Sequence, residues 1–336
     1  MINKKTKFCK AAALLGAAVM MISALAGCGK NTKVVLTAGL KKNEVFRISS
    51  ASCVLPEVMV YLTNMQNQYE SVYGSQIWNA SDGQLSLEQE EREQVLTQLA
   101  RIKVMNLLAQ KKEVTLDDKE KERAAAAGRE YFTSLNSAEV TALNVTQDLI
   151  TKMYEEYALA EKVYQTIVEN VNPEVSDDEA RTITVDRIRV SDSAKASQVL
   201  GKAKEEGVDF ETLAQAESED QTVTQSFGKG EVSEALEKAA FNLGKDEISD
   251  VVESDGSYYI LKCISTFDEA QTKANKEKIE KQRQSEAFDT EYTAFEQTLV
   301  RQLNEELWNS VTMIHQDDVK TSSFFEVYQM YFQHQE

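Results

Sequence analysis

The sequence predicts an α+β protein, mostly helical toward both ends, with one small α+β unit inserted between. Three observations carry this reading. The 336 residues contain only two prolines, Pro56 and Pro173, so helices can run long between and beyond them. Apolar residues recur at helical spacing from Val58 to Tyr164, and again from Phe288 onward. Runs rich in β-branched and aromatic residues cluster in one short region: "TITVDRIRV", "EISDVVES" and "SYYILKCI".

The first residues read as an address. Lys4, Lys5, Lys7 and Lys10 precede the uncharged stretch "AAALLGAAVMMISALA". At about sixteen residues it falls short of the roughly 20 a bilayer span needs, and it has the proportions of a secretory signal. It ends in Leu25-Ala26-Gly27-Cys28, where small residues suit a signal peptidase and the thiol is open to alkylation by a diacylglyceryl group. The pattern resembles the bacterial lipoprotein signal. The other reading is an ordinary signal peptide followed by a chance cysteine. Residues 1–27 are expected to be the signal and Cys28 the lipidated first residue. Two or more acyl chains hold a protein stably on a membrane, which places the mature chain outside the cytoplasmic membrane. Residues 28–43 form the tether. Its lysines, Lys30, Lys33, Lys41 and Lys42, come before any acid, and either hug an anionic leaflet or belong to a soluble linker.

Loss of the four signal lysines takes the formal net charge from −18 to −22. A chain so acidic is a poor match for nucleic acid, whose phosphates need a basic surface. It is compatible with weak attraction to basic, unfolded polypeptides. Cys53 and Cys263 are too few for a disulfide framework, and no Cys/His cluster suggests a metal; no cofactor is expected. The two histidines, His315 and His334, both lie near the end of the chain, so no candidate nucleophile elsewhere has an imidazole in its own segment.

Each helix has its own signals. "PEVMVYLTNMQNQYESVYG" puts Val58, Leu62, Met65, Tyr69 and Val72 on one face, with Pro56 near the first turn and Gly74 past the end. Ser86 and Gln89 have capping-box form and open a stripe of Val95, Leu99, Ile102 and Met105. Thr115 with Asp118 reads as the next start, and Thr146 opens a helix through Ile150, Tyr154, Tyr157 and Tyr164. Residues 44–178 thus read as a bundle-like domain, completed by helices over 267–336. In that last stretch Phe288, Tyr292, Phe295, Leu299 and Leu303 mark one face of a long helix. The terminal "FFEVYQMYF" places Phe325, Tyr328 and Phe332 on a face that needs a partner and is expected to pack back on the N-terminal helices.

Pro173 ends the preceding helix, and Ser176 with Glu179 gives a fresh cap. From there to residue 266 the order reads β-α-α, an irregular link at "SFGKGEV", then α-β-β. Asp255-Gly256 is a turn between the last two strands.

This 179–266 unit resembles a parvulin-type peptidyl-prolyl isomerase domain. "DFETLAQAESED" is similar to the family's Phe-x-x-Leu-Ala…Ser-x-Asp segment, and "GKGEVSEALEKAAFNLGKDEISDVV" to its Gly-x-Gly…Ala-x-Phe-x-Leu…Gly-x-(Ile/Val)-Ser stretch. The whole layout resembles the extracytoplasmic PrsA-like and SurA-like foldases. The resemblance implies a chaperone-like helical part with an inserted parvulin-like domain. Its partners would be unfolded or partly folded exported polypeptides and the membrane through a lipid anchor; a homodimer is left open.

The chain departs from the family at the centre of the site. Where the family carries two histidines, this sequence has Arg187 on the first strand and Tyr259 on the last. Asp220 matches the family's Asp/Cys position. The proline seat maps onto Phe227, Val232, Leu236 and Phe241. Strand alternation puts Ile188 and Val190 on the helix side and Arg187 and Arg189 on the groove side. Arg187, Asp220 and Tyr259 either replace the histidine network or form an ion pair closing a retired site, with Asp220 paired to Arg187 and the Tyr259 hydroxyl donating. The expected function is a membrane-anchored foldase or chaperone with isomerase activity weak or lost. The alternatives are a fully active prolyl isomerase and a solute-binding lipoprotein, the last of which calls for β-α alternation over two lobes.

Overall fold

The structure is a computed structural model that describes residues 39–80 and 86–333. The signal, Cys28, most of the tether and His334 lie outside the described residues. The described chain divides into two compact units. One is drawn from residues up to Asn170 and from Ser285 on; the other is Val171–Gln284.

The first unit opens with a hairpin of β1 (Glu44–Ile48) and β2 (Ala51–Val54) that the sequence reading missed. Ser49 takes a positive φ in its turn. Glu44 is fully buried at the start of β1. Burial pushes its carboxyl up, but hydrogen bonds from Arg47, Ser52 and the Lys41 N–H outweigh that and hold it at about 2. Next come α1 (Leu55–Tyr73), with Pro56 in its first turn and Gly74 after its end, and a 3₁₀ turn (Ser75–Asn79). In α2 (Leu87–Lys111) the Ser86–Gln89 box forms as read, each backbone N–H meeting the other side chain. The cap of α3 (Asp118–Ser134) is instead Asp117 with Glu120, whose backbone N–H lies 2.8 Å from Asp117 Oδ1. Thr115 is thus displaced by a stronger carboxylate cap two residues on. A short α4 (Ser137–Leu143) follows, then α5 (Gln147–Val168), capped by Thr146.

The second unit contributes α6 (Asp177–Ala180), β3 (Ile183–Val190), α7 (Ser193–Ala203), α8 (Phe210–Glu217), β4 (Thr224–Phe227), α9 (Glu234–Phe241), β5 (Val252–Ser254) and β6 (Ser257–Ser265). The long α10 (Glu269–Glu296) comes next, and the first unit then ends with β7 (Arg301–Leu303), α11 (Glu305–Asn309) and α12 (Phe324–Phe332). The stripe predicted for one long helix therefore breaks. α10 stops at Glu296, and Leu303 lies in β7, which pairs with β1 in a sheet ordered β2-β1-β7.

The terminal aromatics pack as expected, through a ring the sequence reading passed over. Phe324 is fully buried. It stacks on Tyr154 at 4.5 Å and meets the rings of Tyr131 and Tyr61 at 5.2 and 5.3 Å. Its N–H donates to Asn64 Oδ1 at 3.0 Å, and Tyr154 donates its hydroxyl to the Phe324 carbonyl at 2.8 Å. Deeper still, Lys103 sits between Glu57 at 3.1 Å and Glu156 at 2.6 Å. Burial pulls the Lys103 ammonium down, but the two carboxylates more than reverse this and hold it above the usual lysine value.

In the second unit the sheet is antiparallel and ordered β4-β3-β6-β5. Strand β4 runs into the start of the predicted irregular link, and its Thr224–Phe227 pairs with Asp186–Ile183. Four residues of mixed pattern next to two glycines carry little strand signal by themselves; the edge of β3 supplies it. Asp255 and Gly256 both adopt positive φ between β5 and β6, which suits the twist of a tight hairpin.

Candidate functional site

β3 sorts its side chains by alternation. Ile188 and Val190 are buried with Ala196 and Val199 of α7, Phe210 and Ala214 of α8, and Ile260. Arg187 and Arg189 lie on the opposite face, across from Leu261 and Tyr259 of β6. That second face carries an apolar cluster in which Phe227, Leu236 and Tyr259 are buried and Val232 and Phe241 half-buried. The four seat residues inferred from the sequence thus gather in one place. Phe227 and Phe241 meet edge to face at 6.1 Å. α9 is held over this face by its cap, Ser233, whose hydroxyl also bonds Ser254 of β5 at 2.7 Å.

Asp220 joins both arginines. Arg187 donates through Nη2 to Oδ2, and Arg189 through Nε to Oδ1 at 2.6 Å. The carboxylate holds the Arg189 guanidinium more firmly protonated than usual. Ser218 fixes this arrangement: its hydroxyl oxygen accepts from the Arg189 and Asp220 backbone N–H groups at 3.1 and 3.2 Å. Arg189 reaches further, donating to Ser257 at 3.2 Å. Tyr259 takes part differently from the sequence expectation. It offers its ring face, 5.4 Å beneath the Arg187 guanidinium, where a hydroxyl donor had been expected. Aromatic rings attract cations through their negative face, so the ring holds the Arg187 guanidinium and supplies no hydrogen-bond donor.

Sequence reasoning missed a second set of contacts at the other side of the cluster. Arg181 lies 4.9 Å over the Phe241 ring and donates to the Phe241 carbonyl at 3.0 Å. Lys229 approaches the same ring at 5.8 Å. Asp178 binds both cations, at 3.0 and 2.6 Å, and they draw its carboxyl below the usual range, Lys229 first. The only sequence signal for this was the i, i+3 spacing of Asp178 and Arg181.

The arrangement supplies an apolar patch bordered by fixed cationic donors. A guanidinium stays protonated in proteins, so Arg187 cannot exchange a proton as imidazole would. Among the described residues no group of His, Cys, Asp and Glu could hold a metal ion, and no helix is long and apolar enough to cross a membrane.

Residues 161–277 match the family described as the PPIC-type PPIASE domain. The foldase protein PrsA of Streptococcus pneumoniae (strain Hungary19A-6) is 31% identical over 165 residues, which is 44% of this chain and 53% of that protein. The chain thus spans about half the length of the curated relatives it matches. Among solved structures, PrsA of Bacillus cereus aligns with a TM-score of 0.37 at 19% identity, covering 72% of this chain and 91% of that one. One of the SurA-like chaperones PEB4 and Cj1289 of Campylobacter jejuni aligns at 0.31 and 10%, covering 78% and 99%. The chain carries a PPIC-type, parvulin-like domain and is PrsA-like.

Proposed function

We propose that the protein is an extracytoplasmic foldase that holds unfolded or partly folded exported polypeptides, with prolyl isomerase activity weak or lost. In this reading, Cys28 carries the lipid that tethers it to the membrane. Residues 44–178 with 267–336 form the chaperone part, and 179–266 the parvulin-like insert. Phe227, Val232, Leu236 and Phe241 seat an apolar or prolyl residue of the client, beside Arg187, Arg189, Asp220 and Tyr259. One observation carries the proposal: the seat side chains gather into a single cluster, while the two histidine places hold Arg187 and Tyr259.

The physical argument concerns which state is bound. Prolyl rotation faces a barrier of about 18–20 kcal/mol with no bond broken. Burying the three ring methylenes of proline gives about 2 kcal/mol, but it favours the planar and twisted amides alike. Such uniform binding improves affinity and leaves the barrier where it was. Lowering the barrier needs groups that prefer the twisted amide, and here each arginine already gives one donor to Asp220.

The chain beginning at residue 29 should suppress aggregation of a proline-free client at stoichiometric amounts. It should accelerate a protease-coupled proline-peptide assay little above the uncatalysed rate. No suppression would remove the chaperone reading. A strong acceleration that fell with Tyr259→Ala or Asp220→Ala would instead support a fully active isomerase.

A further inference from the structure

We propose that the Arg187–Arg189 pair makes this site selective for client segments carrying an acidic residue next to the seated apolar or prolyl residue. The inference rests on the proposed seat and adds a charge requirement to it.

The charge count at the site is uneven. Two guanidiniums share one carboxylate, Asp220, and among the described residues Asp220 is the acceptor of the Arg187 side chain. Its Nε–H, shut away from solvent, has none. Among the described residues no other acid forms a salt bridge with either arginine, although Glu219 adds a longer-range attraction on Arg189. Asp186 belongs to the other face of β3 and accepts from Thr224 Oγ1 at 2.6 Å. Glu219 is exposed and turned to the Ser191 N–H and hydroxyl at 3.2 Å. Glu253 pairs across from Tyr258, not Tyr259. Asp255 accepts from Ser254 at 2.9 Å. Two cations therefore share a single carboxylate in direct contact, on side chains that are 18% and 32% exposed.

Its position supplies the second half of the argument. The Arg187 guanidinium lies on the Tyr259 ring, and Tyr259 belongs to the same cluster as Phe227 and Leu236. The cation thus rests on a member of the cluster that holds the seat. Successive residues of an extended chain advance by roughly 3.3–3.6 Å, so a side chain one or two residues from the seated one arrives beside the arginines. The ligand group that suits them is a carboxylate, which a guanidinium fork can take in bidentate fashion. A basic residue at the same place would meet an uncompensated like charge.

The test uses the chain from residue 29 and three hexapeptides, identical except for Glu, Gln or Lys on both sides of one proline, with affinities measured by calorimetry at low and physiological salt. The Glu peptide should bind about fivefold more tightly than the Gln peptide, the scale of a partly exposed ion pair, and the Lys peptide most weakly. The Glu preference should shrink as salt rises. Arg189→Gln, which leaves Asp220 paired to Arg187, should abolish the preference. Asp220→Asn, which frees a second charge, should enlarge it. Equal binding of the Glu and Gln peptides, or an unchanged preference in both variants, would overturn the charge selection and leave the seat standing. Failure of all three peptides to bind would overturn both.

Discussion

Glu91 offers a quantitative test of how well the helical unit is understood. It lies on α2, one turn before Val95, with 1% of its surface exposed and neither carboxyl oxygen hydrogen-bonded. An ionised carboxylate so placed has lost water and gained no partner. Burial, with the adjacent Glu90 charge adding to it, pushes its carboxyl up to about 7 from 4.5. Tyr69 of α1 is also within reach of its charge. The direction of the linkage follows. In the unfolded chain Glu91 loses its proton near 4.5, whereas the native protein keeps it to about 7, so the native state binds more protons in between. The contribution of Glu91 to stability is therefore most favourable below pH 4.5, falls as pH rises to 7 and levels off above, with a total loss of about 3 kcal/mol. Glu91→Gln removes the titration while keeping the shape. The variant should match the wild type near pH 4.5 and exceed it by about 3 kcal/mol at pH 8. Urea unfolding followed by tryptophan fluorescence reports the right unit, because Trp78 and Trp308, the only tryptophans, are both buried there. A variant-to-wild-type difference that stays the same at pH 4.5 and pH 8 would refute the assignment of Glu91 as an unpaired buried acid.

Three further outcomes are expected. A Cβ at Gly128 would fall 2.3 Å from Thr151 Oγ1 and 2.9 Å from the Thr151 Cα, whereas one at Gly201 meets nothing within 4 Å. Gly128→Ala should therefore destabilise by about 1–2 kcal/mol, overpacking outweighing the helix-propensity gain, and Gly201→Ala should stabilise by about 0.8–1 kcal/mol; denaturant midpoints followed by circular dichroism check both. Lys103→Met should cost about 3–5 kcal/mol by leaving the buried Glu57 without a counter-charge and Glu156 with only Lys152, at 3.4 Å, and replacing all three by apolar residues of similar volume should recover most of it. Phe324→Ala should cost about 3–5 kcal/mol and lower the tryptophan-detected midpoint; an unchanged midpoint would mean that the terminal helix does not dock.

What could be read from the sequence follows the range of the interactions. Helix ends set by neighbours three residues apart, such as Ser86 with Gln89, were legible because the capping pair is local. The Asp117 cap was misplaced by two residues because Thr115 and Asp117 both fit the local pattern, and the geometry chooses the carboxylate. Strands β1, β2 and β7 escaped notice: each has at most five residues, and the pairing of Phe46 with Leu303 joins opposite ends of the chain. β4 was hidden likewise, since its strand character comes from the edge of β3. At the candidate site, alternation along β3 was enough to put both arginines on one face. The Arg181–Asp178–Lys229 contacts on Phe241 were not readable, because Lys229 meets Asp178 only once the sheet has formed.

Those contacts sharpen the proposed function. Phe241 is one of the proposed seat residues, and cations 4.9 and 5.8 Å from its ring centroid already occupy its approaches. A cation–π contact is worth about 0.5–1 kcal/mol when exposed and 2 or more when desolvated. Any client ring that takes over the Phe241 face must first displace Arg181, which three other bonds hold in place. That displacement would offset much of the roughly 2 kcal/mol a proline ring contributes, so in the proposed reading a single seated proline should be held weakly and released quickly. For a chaperone this is useful, since a client bound through many weak contacts can fold as it lets go. For an isomerase it is a handicap, because little binding energy remains to be directed at the twisted amide. Arg181→Ala should then tighten proline-peptide binding several-fold while leaving the isomerisation rate near the uncatalysed one. A rise in rate without a gain in affinity would reverse the argument and make Arg181 the restraint on a working catalyst.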